Sequence, residues 1–418
     1  MGQHDVEYGA DNSDGIISEG VNTRITNCVV KNVDGTGIKI QPLSDTNTFF
    51  GGGYGIISHS YAENCGNEGM SIYMANSGPT LNRGEITNCT ARGCDTKATS
   101  ASIRAHVASG CTLNDVLIAQ CRVDNAGADS IQVRATGTGI ITRAAIESCD
   151  SKTSALAAIY ALADGGTISS LYVRGGYLDG SSSANAQIYA LASSAGTIGE
   201  AVFSDVRLRS ASRGLYMRAN GAGSSFGRAV VSNMDARSMT DENLYGLADS
   251  SGTFSQVSFR GNDVSGGTYG LRTIGVTTVH TDGLNTISAT TPRSFATVTT
   301  LQLGKDFGVT LPATITIASG VATVSSPTHS GHLLLKIDTE SAAATDDLDT
   351  LTITGVRDQQ VVTLRALSSS RDVVVKDGTG NFKLNGDFTM NNTEDTITLI
   401  YHATDDFYTE ISRSDNGA

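Results

Sequence analysis

The sequence predicts an all-β protein. Residues 1–290 are expected to form a right-handed, single-stranded parallel β-helix of about ten coils, and residues 291–418 an antiparallel β-sandwich-like domain. Three observations predict this: a short apolar strand recurs along the first two thirds of the chain, a second strand follows it in each repeat, and the period ends near residue 290. A fixed repeat of this size is typical of one structural unit stacked on copies of itself.

The recurring strand is marked by its first branched apolar residue, which we call the anchor. Around each anchor, apolar and polar residues alternate over four or five positions, as in Gly-Ile-Lys-Ile at 37–40 and Gln-Ile-Tyr-Ala-Leu at 187–191. This alternation indicates strands, and strands of successive coils would pair and stack their inward residues into one core. The anchors are Ile16, Ile38, Ile72, Ile103, Ile131, Ile159, Ile188, Leu215, Leu244 and Leu271.

A second short strand follows each anchor about half a period later, as in Ile-Thr-Asn-Cys-Val-Val at 25–30. Five repeats carry a cysteine there, and we expect one inward ladder of buried, reduced thiols, because cysteine behaves as a compact apolar residue in a core. The odd total of seven, with Cys94 and Cys111 in turns, argues against a disulfide framework. No cysteine pair has metal-ligand spacing with histidine. The expected ladder is Cys28, Cys65, Cys89, Cys121 and Cys149.

Composition restricts the possible partners. The formal net charge is −13, which argues against nucleic acid as the main partner. No apolar run is long enough for membrane insertion, and no motif indicates a cofactor or a metal. The N-terminus lacks the layout of a signal peptide, and a repeat already begins at Gly15-Ile16-Ile17. We therefore expect the chain to start inside or just before the rod, with an N-terminal module missing from it.

The C-terminal third has a different β-pattern after Thr290-Thr291-Pro292. Residues 313–324 predict a hairpin that turns at Ser319-Gly320, and this spacing with hairpin turns predicts an antiparallel sandwich. The acidic stretch 345–350 is interpreted as a solvated loop, with a cation site as the alternative. Further strands are predicted at 333–337, 351–354, 361–367, 373–376, 382–384, 397–401 and 407–412.

These patterns carry a resemblance to known families. The Gly-Ile-x-Ile and Asn-Cys-x-Val repeats are similar to the pectate-lyase-like superfamily. The C-terminal segments 360–365, 373–384, 396–401 and 408–412 resemble the terminal β-domain of bacteriophage tailspikes. The Gly-Asp-Gly-x-x-x-Asp-Asp-Thr segment often found near the start of such rods is absent from this sequence.

The resemblance implies an assembly and a location. It implies a homotrimer held together by the C-terminal domain and located in the virion, as part of the phage tail. Attachment to the tail or baseplate would use the missing N-terminal module. The assembly would act outside the host cell on bacterial surface polysaccharide.

The first half of the outer face of the anchor strands is polar and basic. Arginine suits bidentate binding of carboxylates, and histidine moves protons near neutral pH. The set therefore predicts binding of an acidic glycan, or proton abstraction beside a uronate carboxylate in a lyase reaction. The alternative is ordinary solvated surface. The residues expected to converge across three coils are Tyr73, Arg104, His106, Gln132 and Arg134, with Asp129 at the mouth of the strand.

The second half of the same face alternates tyrosine with leucine. On a monomer this would be an exposed apolar patch, and such patches usually mark an interface. We interpret it as a trimer contact, with a platform for stacking sugars as the alternative. Its residues are Tyr160, Leu162, Tyr189, Leu191, Tyr216, Tyr245 and Leu247.

An inserted loop at residues 42–53 lengthens the second interval. Inserted turns on β-solenoids often lie on the binding face. Phe49, Phe50 and Tyr54 in this glycine-rich segment could stack on a sugar or pack back on the rod, and the sequence favours neither.

The sequence names no catalytic residues. A glycoside hydrolase needs two carboxylates, about 5 Å or about 6.5–9.5 Å apart, and adjacent coils bring many pairs within that range. We predict a trimeric receptor-binding protein that recognises bacterial polysaccharide and depolymerises it by hydrolysis or elimination. The alternatives are a non-enzymatic virion fibre or adhesin with the same rod, and a secreted, monomeric polysaccharide lyase.

Overall fold

A computed structural model describes residues 4–7, 14–20, 22–42, 53–75, 80–97, 100–180, 186–249, 251–282, 284–303, 309–324, 333–354, 356 and 358–416. The chain divides into two compact units. The first, which we call the rod, comprises Met1–Val279 and Asn285–Thr300, and the second, the C-terminal unit, comprises His280–Leu284 and Leu301–Ala418. Within the described ranges, the one helix is a single 3-10 turn, Glu340–Ala342. None of the described helical residues could cross a membrane.

The rod is a parallel β-helix, as predicted, and it is built from three sheets. Each coil contributes one strand to each sheet, and each strand pairs in parallel with its equivalents in the neighbouring coils. The anchor sheet consists of Ile16–Ser18, Ile38–Ile40, Met70–Met74, Ala101–Val107, Asp129–Thr136, Ile159–Asp164, Ala186–Ser193, Arg213–Asn220, Glu242–Asp249, Tyr269–Ile274 and Thr291–Ala296.

Two further sheets complete each coil. The second sheet consists of Thr23–Thr26, Gly53–Ser58, Thr80–Thr87, Thr112–Ala119, Ile140–Glu147, Thr167–Arg174, Thr197–Ser204, Ser225–Ser232, Thr253–Arg260, Val276–Thr281 and Thr300–Leu303. The third sheet consists of His4–Glu7, Cys28–Lys31, Tyr61–Glu63, Thr90–Arg92, Arg122–Ala126, Asp150–Ser154, Tyr177–Asp179, Arg207–Ala211, Asp235–Met239, Asp263–Gly266 and Thr286–Ser288.

The core of the rod is a set of inward stacks. In the anchor sheet, Ile131 lies between Ile103 and Ile159 in the ladder, and all three are almost fully buried. Phe226 and Phe254 stack in the second sheet with their ring centroids 4.5 Å apart. Because identical or similar side chains repeat at each coil, apolar burial is continuous along the rod and stabilises every coil through its neighbours.

The sheets contain eleven strands each among the described residues, against about ten coils predicted. The additional coil was missed because Arg293, which pairs with Leu271, occupies the position of the anchor there. A polar residue at that position removes the apolar signal on which the prediction depended.

The corner between the second and third sheets is a residue with positive φ in most coils. Asn27 and Asn88 adopt φ of 56° and 53°, and Gly175 and Gly261 occupy the same corner in later coils. Asparagine tolerates this left-handed conformation and glycine adopts it without steric cost. The Asn-Cys pairs therefore mark a corner between two short strands, and the prediction that they lie within one strand was wrong.

The cysteine ladder differs from the prediction at one position. Ala62 pairs with Ala91, so Cys65 lies in register with Cys94 and outside the expected column. The equivalent position in that coil is Ser60, whose hydroxyl accepts a hydrogen bond from the Cys28 N–H at 3.2 Å. All seven cysteines are in the thiol form and six of them are buried. The column contains Cys28, Cys89, Cys121 and Cys149.

The C-terminal unit is a mixed β-domain. Its eight-stranded sheet has the spatial order Thr350–Ile353, Val321–Val324, Val309–Ala318, Leu333–Asp338, Val361–Ala366, Thr396–His402, Phe407–Ser414 and Phe382–Lys383. A three-stranded sheet contains Thr345–Leu348, Asp372–Val375 and Phe388–Met390. The predicted hairpin is confirmed, since Ala318 pairs with Val321 in antiparallel register and Ser319 and Gly320 turn with φ of 52° and 79°.

The prediction of purely antiparallel pairing was wrong. Leu333 pairs in parallel with Val362, and Val321 with Thr350, at a sequence spacing close to one coil of the rod. Strand spacing does not reveal strand direction, because a crossover and a hairpin both return the chain to the same sheet. The acidic stretch is also ordered differently, because Thr345–Leu348 is a strand that pairs with Asp372–Val375.

Candidate functional site

The outer face of the anchor sheet has a different register at its third coil from the one predicted. Ile103 pairs with Met70, so Met70 occupies the position assigned to Ile72. A slip of two residues keeps the same side chains inward, which is why the alternating pattern did not reveal it. Tyr73 therefore lies opposite His106 and not opposite Arg104.

Arg104 is the centre of a buried polar group, which we call the arginine cluster. Its Nη1 donates hydrogen bonds to Glu68 Oε1 at 2.7 Å and to Ser100 Oγ at 2.8 Å. Its Nη2 lies 2.8 Å from His106 Nδ1, and its guanidinium carbon lies 5.8 Å from the centre of the Tyr73 ring. The Arg104 side chain is 12% exposed. The guanidinium is thus fixed by contacts with four residues.

Glu68 balances the charge of Arg104. Its Oε2 accepts a hydrogen bond from the Thr36 hydroxyl at 2.7 Å, and its Oε1 accepts one from the Ser100 hydroxyl at 2.7 Å. Burial acts to raise the pKa of the Glu68 carboxyl, but the hydrogen bonds from Thr36, Ser100 and Arg104 together hold the pKa below its usual value. Glu68 is therefore ionised at neutral pH. The pairing of Glu68 with Arg104 could not be predicted from the sequence, because it depends on the register at Met70.

His106 is held in its neutral form. It is 8% exposed, and burial followed by the charges of Arg104 and Arg134 lowers its pKa to about 3. Its Nδ1 accepts the hydrogen bond from Arg104, so its Nε2, 3.1 Å from Thr136 Oγ1, carries the proton. The imidazole packs against Tyr73 with ring centroids 4.9 Å apart. In this arrangement His106 is a structural acceptor and does not exchange protons near neutral pH.

Asp129 and Gln132 lie in the coil that follows that of Arg104. Asp129 Oδ1 accepts the Ala157 N–H at 2.9 Å, and Oδ2 accepts the Gln132 amide at 3.2 Å. Burial raises the pKa of the Asp129 carboxyl to about 7, although these hydrogen bonds oppose the rise. Gln132 Oε1 is buried without a hydrogen-bond partner among the described residues. Asp129 is thus a carboxyl that changes charge near neutral pH.

Arg134 is the most accessible cation of the predicted set. Its side chain is 31% exposed, and its Nη2 lies 3.7 Å from Asp164 Oδ2, a loose ion pair. It follows His106 in the ladder, so Tyr73, His106 and Arg134 lie side by side in successive coils. The structure therefore brings the six predicted residues together. Only Tyr73, Arg104 and Arg134 are partly exposed, while His106, Asp129 and Gln132 are buried.

The second half of the face is a ladder of stacked phenol rings. Tyr160, Tyr189, Tyr216 and Tyr245 stack with centroids 5.2, 5.0 and 4.9 Å apart and almost parallel planes. The guanidinium carbon of Arg272 lies 5.0 Å from the centre of the last ring. We call these four residues the tyrosine ladder.

The expected exposed apolar patch is largely closed within one chain. Tyr216 and Tyr245 are 9% and 6% exposed, and Leu162 is 6% exposed. The reason is that each ring covers the face of the next one, while Glu242 holds Arg213 and Arg272 beside the rings at 2.6 Å each. Leu191 and Leu247 remain half-buried at the edge of the ladder.

The inserted loop lies largely outside the described residues, and so do Phe49 and Phe50. Tyr54 belongs to the strand Gly53–Ser58 of the second sheet and is 38% exposed. Its N–H donates a hydrogen bond to Asn22 Oδ1 at 3.3 Å. Tyr54 therefore lies on a different sheet from the arginine cluster.

Comparisons with known proteins do not assign the chain to a family. No protein-family model, no curated protein and no solved structure matches it. Across the part of the chain that the structure describes, no three histidine, cysteine, aspartate or glutamate residues are grouped to hold a metal ion.

Proposed function

We propose that this chain is a tailspike-type receptor-binding protein that acts as a trimer in a phage virion and recognises bacterial surface polysaccharide. The observation that carries the proposal is the row Tyr73, His106 and Arg134 on the outer face of a long parallel β-helix. Adjacent coils lie about 4.8 Å apart, so the partly exposed side chains of Tyr73 and Arg134 lie about two coils apart on either side of the buried His106, along a surface that suits an extended polymer.

An acidic glycan is the ligand class that fits Arg134. Its ion pair with Asp164 is long and partly exposed, so its guanidinium can exchange that partner for a carboxylate of the ligand. A guanidinium binds a carboxylate through two parallel hydrogen bonds, which makes it selective for uronates over neutral sugars. Tyr73 adds an aromatic surface of the kind that packs against sugar rings.

Cleavage is the second candidate function, and one observation favours it. The carboxyls of Asp129 and Glu68 have pKa values shifted in opposite directions, one to about 7 and the other below its usual value. Carboxyls shifted apart in this way are typical of an acid and its partner base. Both carboxyls are buried and hydrogen-bonded within the protein. The geometry therefore supports binding better than catalysis.

The test is glycan binding by an arginine variant. Arg134→Gln should weaken binding of uronate-containing capsular polysaccharide by about tenfold or more, because a charged hydrogen bond contributes roughly 1.5–3 kcal/mol. The matched control is Arg143→Gln on the second sheet, where Arg143 pairs with Asp115 at 2.8 Å. Binding would be measured by surface plasmon resonance against immobilised capsules. Equal affinities of Arg134→Gln and the unaltered protein would refute the site.

The same samples test cleavage and assembly. New reducing ends together with the absorbance of an unsaturated uronate would indicate a lyase, and reducing ends alone a hydrolase. Binding without product would indicate a non-enzymatic fibre. Light scattering should give the mass of three chains, and a monomer mass would contradict the proposed trimer and favour a secreted monomeric enzyme.

A further inference from the structure

We infer a second carboxylate-binding position at Arg218, three coils from Arg134 on the same outer face, so that one acidic glycan chain is held by two of its carboxylates at once. Arg134 and Arg218 occupy one column of the anchor sheet, with Leu162 and Leu191 between them. Three steps of about 4.8 Å place the two arginines about 14 Å apart. The inference rests on the proposed function, because it takes Arg134 as the first of the two positions.

The sequence around Arg134 is repeated around Arg218. In each case the arginine is followed by alanine and a short polar residue, and the next coil ends in Leu-Ala-Asp. The first copy is Ile-Gln-Val-Arg-Ala-Thr at 131–136 with Ile-Tyr-Ala-Leu-Ala-Asp at 159–164, and the second is Leu-Tyr-Met-Arg-Ala-Asn at 215–220 with Leu-Tyr-Gly-Leu-Ala-Asp at 244–249. The rod therefore uses one local pattern twice.

The coil between the two copies shows that the aspartate accompanies the arginine. Residues 188–193 read Ile-Tyr-Ala-Leu-Ala-Ser, so Ser193 stands where both copies have aspartate. In the preceding coil, the ladder neighbour of Leu191 is Leu162 and not an arginine. In this part of the rod, an aspartate thus ends the strand only where the preceding coil carries an arginine.

Both arginines form the same contact and both reach the surface. Arg134 Nη2 lies 3.7 Å from Asp164 Oδ2, and Arg218 Nη2 lies 2.5 Å from Asp249 Oδ2. In each pair the aspartate belongs to the coil that follows the arginine. The side chains of Arg134 and Arg218 are 31% and 29% exposed. The two guanidinium groups are therefore equivalent cations on one face.

Arg218 is the more tightly paired of the two, and its pairing leaves donors for a ligand. Asp249 Oδ2 accepts hydrogen bonds from Nε at 3.1 Å and from Nη2, and Asn220 Oδ1 lies 3.5 Å from the same Nη2. Neither Asp249 nor Asn220 uses Nη1, which carries two further N–H groups. A carboxylate of the ligand can accept these groups while Asp249 keeps the guanidinium in place.

The surface between the two arginines suits the intervening sugars. Tyr160, Tyr189 and Leu191 are half-buried there, and aromatic and apolar side chains pack against the C–H faces of sugar rings. Beside them, the Ser193 hydroxyl donates a hydrogen bond to Asp164 Oδ1 at 3.2 Å. The column itself carries only leucine between the two cations. The face thus combines a cation at each end with an uncharged column between them.

The test measures binding of galacturonate oligomers of increasing length to the full chain by isothermal titration calorimetry. Every ring of these probes carries a carboxylate, so a sufficiently long oligomer presents two carboxylates at the required interval. We expect the affinity to rise by at least about tenfold at the length that first bridges the two arginines, because the second contact is then intramolecular. Arg218→Gln should abolish this step and retain binding of digalacturonate at Arg134. Arg134→Gln should abolish the step as well.

A second variant and a matched control separate binding from folding. Arg218→Lys keeps a cation beside Asp249 but lacks the fork of donors, and it should reduce the step. The control is Arg209→Gln on the third sheet, where Arg209 pairs with Asp235 at 2.6 Å and its side chain is 21% exposed. It should keep the step. The melting temperature of each variant checks its fold.

The inference is overturned if the affinity rises smoothly with oligomer length, or if both Arg218 variants keep the step. When Arg134→Gln weakens binding of the short oligomers and the Arg218 variants change nothing, the proposed glycan site stands and the second position falls. If no oligomer of any length binds, the inference is overturned together with the assignment of uronates to Arg134.

Discussion

The two halves of the anchor sheet's outer face have different side chains at the same ladder position, polar and charged ones in the first half and tyrosines in the second. In one column Arg104 pairs with Gln132, which pairs with Tyr160, the first residue of the tyrosine ladder. In this column the first half places a guanidinium inside hydrogen bonds, and the second half places stacked phenol rings. A column of a β-helix places each residue beside its equivalent in the next coil, and this arrangement suits like aromatic rings but not like charges.

The arginine cluster shows how the rod avoids that repulsion. The ladder neighbours of Arg104 are Ser71 and Gln132, which carry no charge. Its counter-ion is Glu68, which is not a ladder neighbour of Arg104. In the adjacent column, the neutral His106 lies between Arg104 and Arg134. In the second half no such separation is needed, because each phenol is stabilised by an identical neighbour. Removing a charge from the first half and removing a ring from the second half should therefore change the free energy of unfolding for different reasons.

The largest effect is expected at Arg104. Arg104→Met leaves the Glu68 carboxylate buried without its cation, and breaking a buried pair in this way costs roughly 3–5 kcal/mol. The double variant Arg104→Met with Glu68→Gln should recover most of that loss, since no uncompensated charge remains. The free energy of unfolding in urea measures both. If the double variant is no more stable than Arg104→Met, the charge argument is wrong.

A pH dependence is expected from the Asp129 carboxyl in the first half. The Asp129 carboxyl has a pKa of about 7 in the folded protein and about 3.9 in an unfolded chain. The folded state therefore retains a proton that the unfolded chain has released, and stability falls as the pH rises from about 4 to about 7. At about 1.4 kcal/mol per pKa unit, the loss is at most about 4 kcal/mol.

Asp129→Asn should remove that dependence. An amide oxygen can still accept the Ala157 N–H, and the amide N–H₂ can reach Gln132 Oε1, which has no partner among the described residues. The variant should be more stable than the unaltered protein at pH 8, by urea unfolding at several pH values. The charge of Asp95 also raises the pKa of Asp129, and the charge of Arg104 lowers it. Asp124→Asn, at a surface carboxylate paired with Arg122, is the control and should leave the slope in place.

The tyrosine ladder should respond to the loss of a ring. Tyr216→Ala removes a ring that stacks on both Tyr189 and Tyr245, and removing a buried aromatic side chain costs about 3 kcal/mol. Tyr177→Ala removes an exposed tyrosine from the third sheet and should cost below about 1 kcal/mol. Urea unfolding measures both. Equal losses would show that the stacking contributes nothing beyond ordinary surface contacts.

The sequence predicted the rod because inward positions repeat, and it failed where a position broke the repeat. Arg293 concealed the last coil, and Met70 concealed the register of the third coil, since neither is a branched apolar residue. The direction of the C-terminal strands was missed because hairpins and crossovers leave similar spacing. These errors share one cause: alternation reveals which side of a strand is buried, but not which strand lies beside it.

The same limit applied to the candidate site, where the sequence indicated which residues face outward but not all of their neighbours. The six polar residues were predicted together because they fall near anchors, and the structure brings them together. The partner Glu68 was not assigned, because its position depends on the slip at Met70. The neutral state of His106 and the raised pKa of Asp129 also lay beyond the sequence, since both arise from burial. The exposed patch was overestimated because the stacked rings cover one another.

The smallest effect on the free energy of unfolding is expected from extending the tyrosine ladder by one ring into the first half of the face. Gln132 lies beside Tyr160 in the ladder, and its Oε1 is buried without a partner among the described residues. Gln132→Tyr would add a fifth ring to the tyrosine ladder, and an aromatic pair contributes about 0.5–1.5 kcal/mol. It would also remove the hydrogen bond to Asp129, which costs a similar amount. The net change in unfolding free energy should stay below about 1 kcal/mol. A larger loss would mean that the column is specified by the hydrogen-bond network around Asp129, and that the boundary between the two halves cannot be moved by a ring alone.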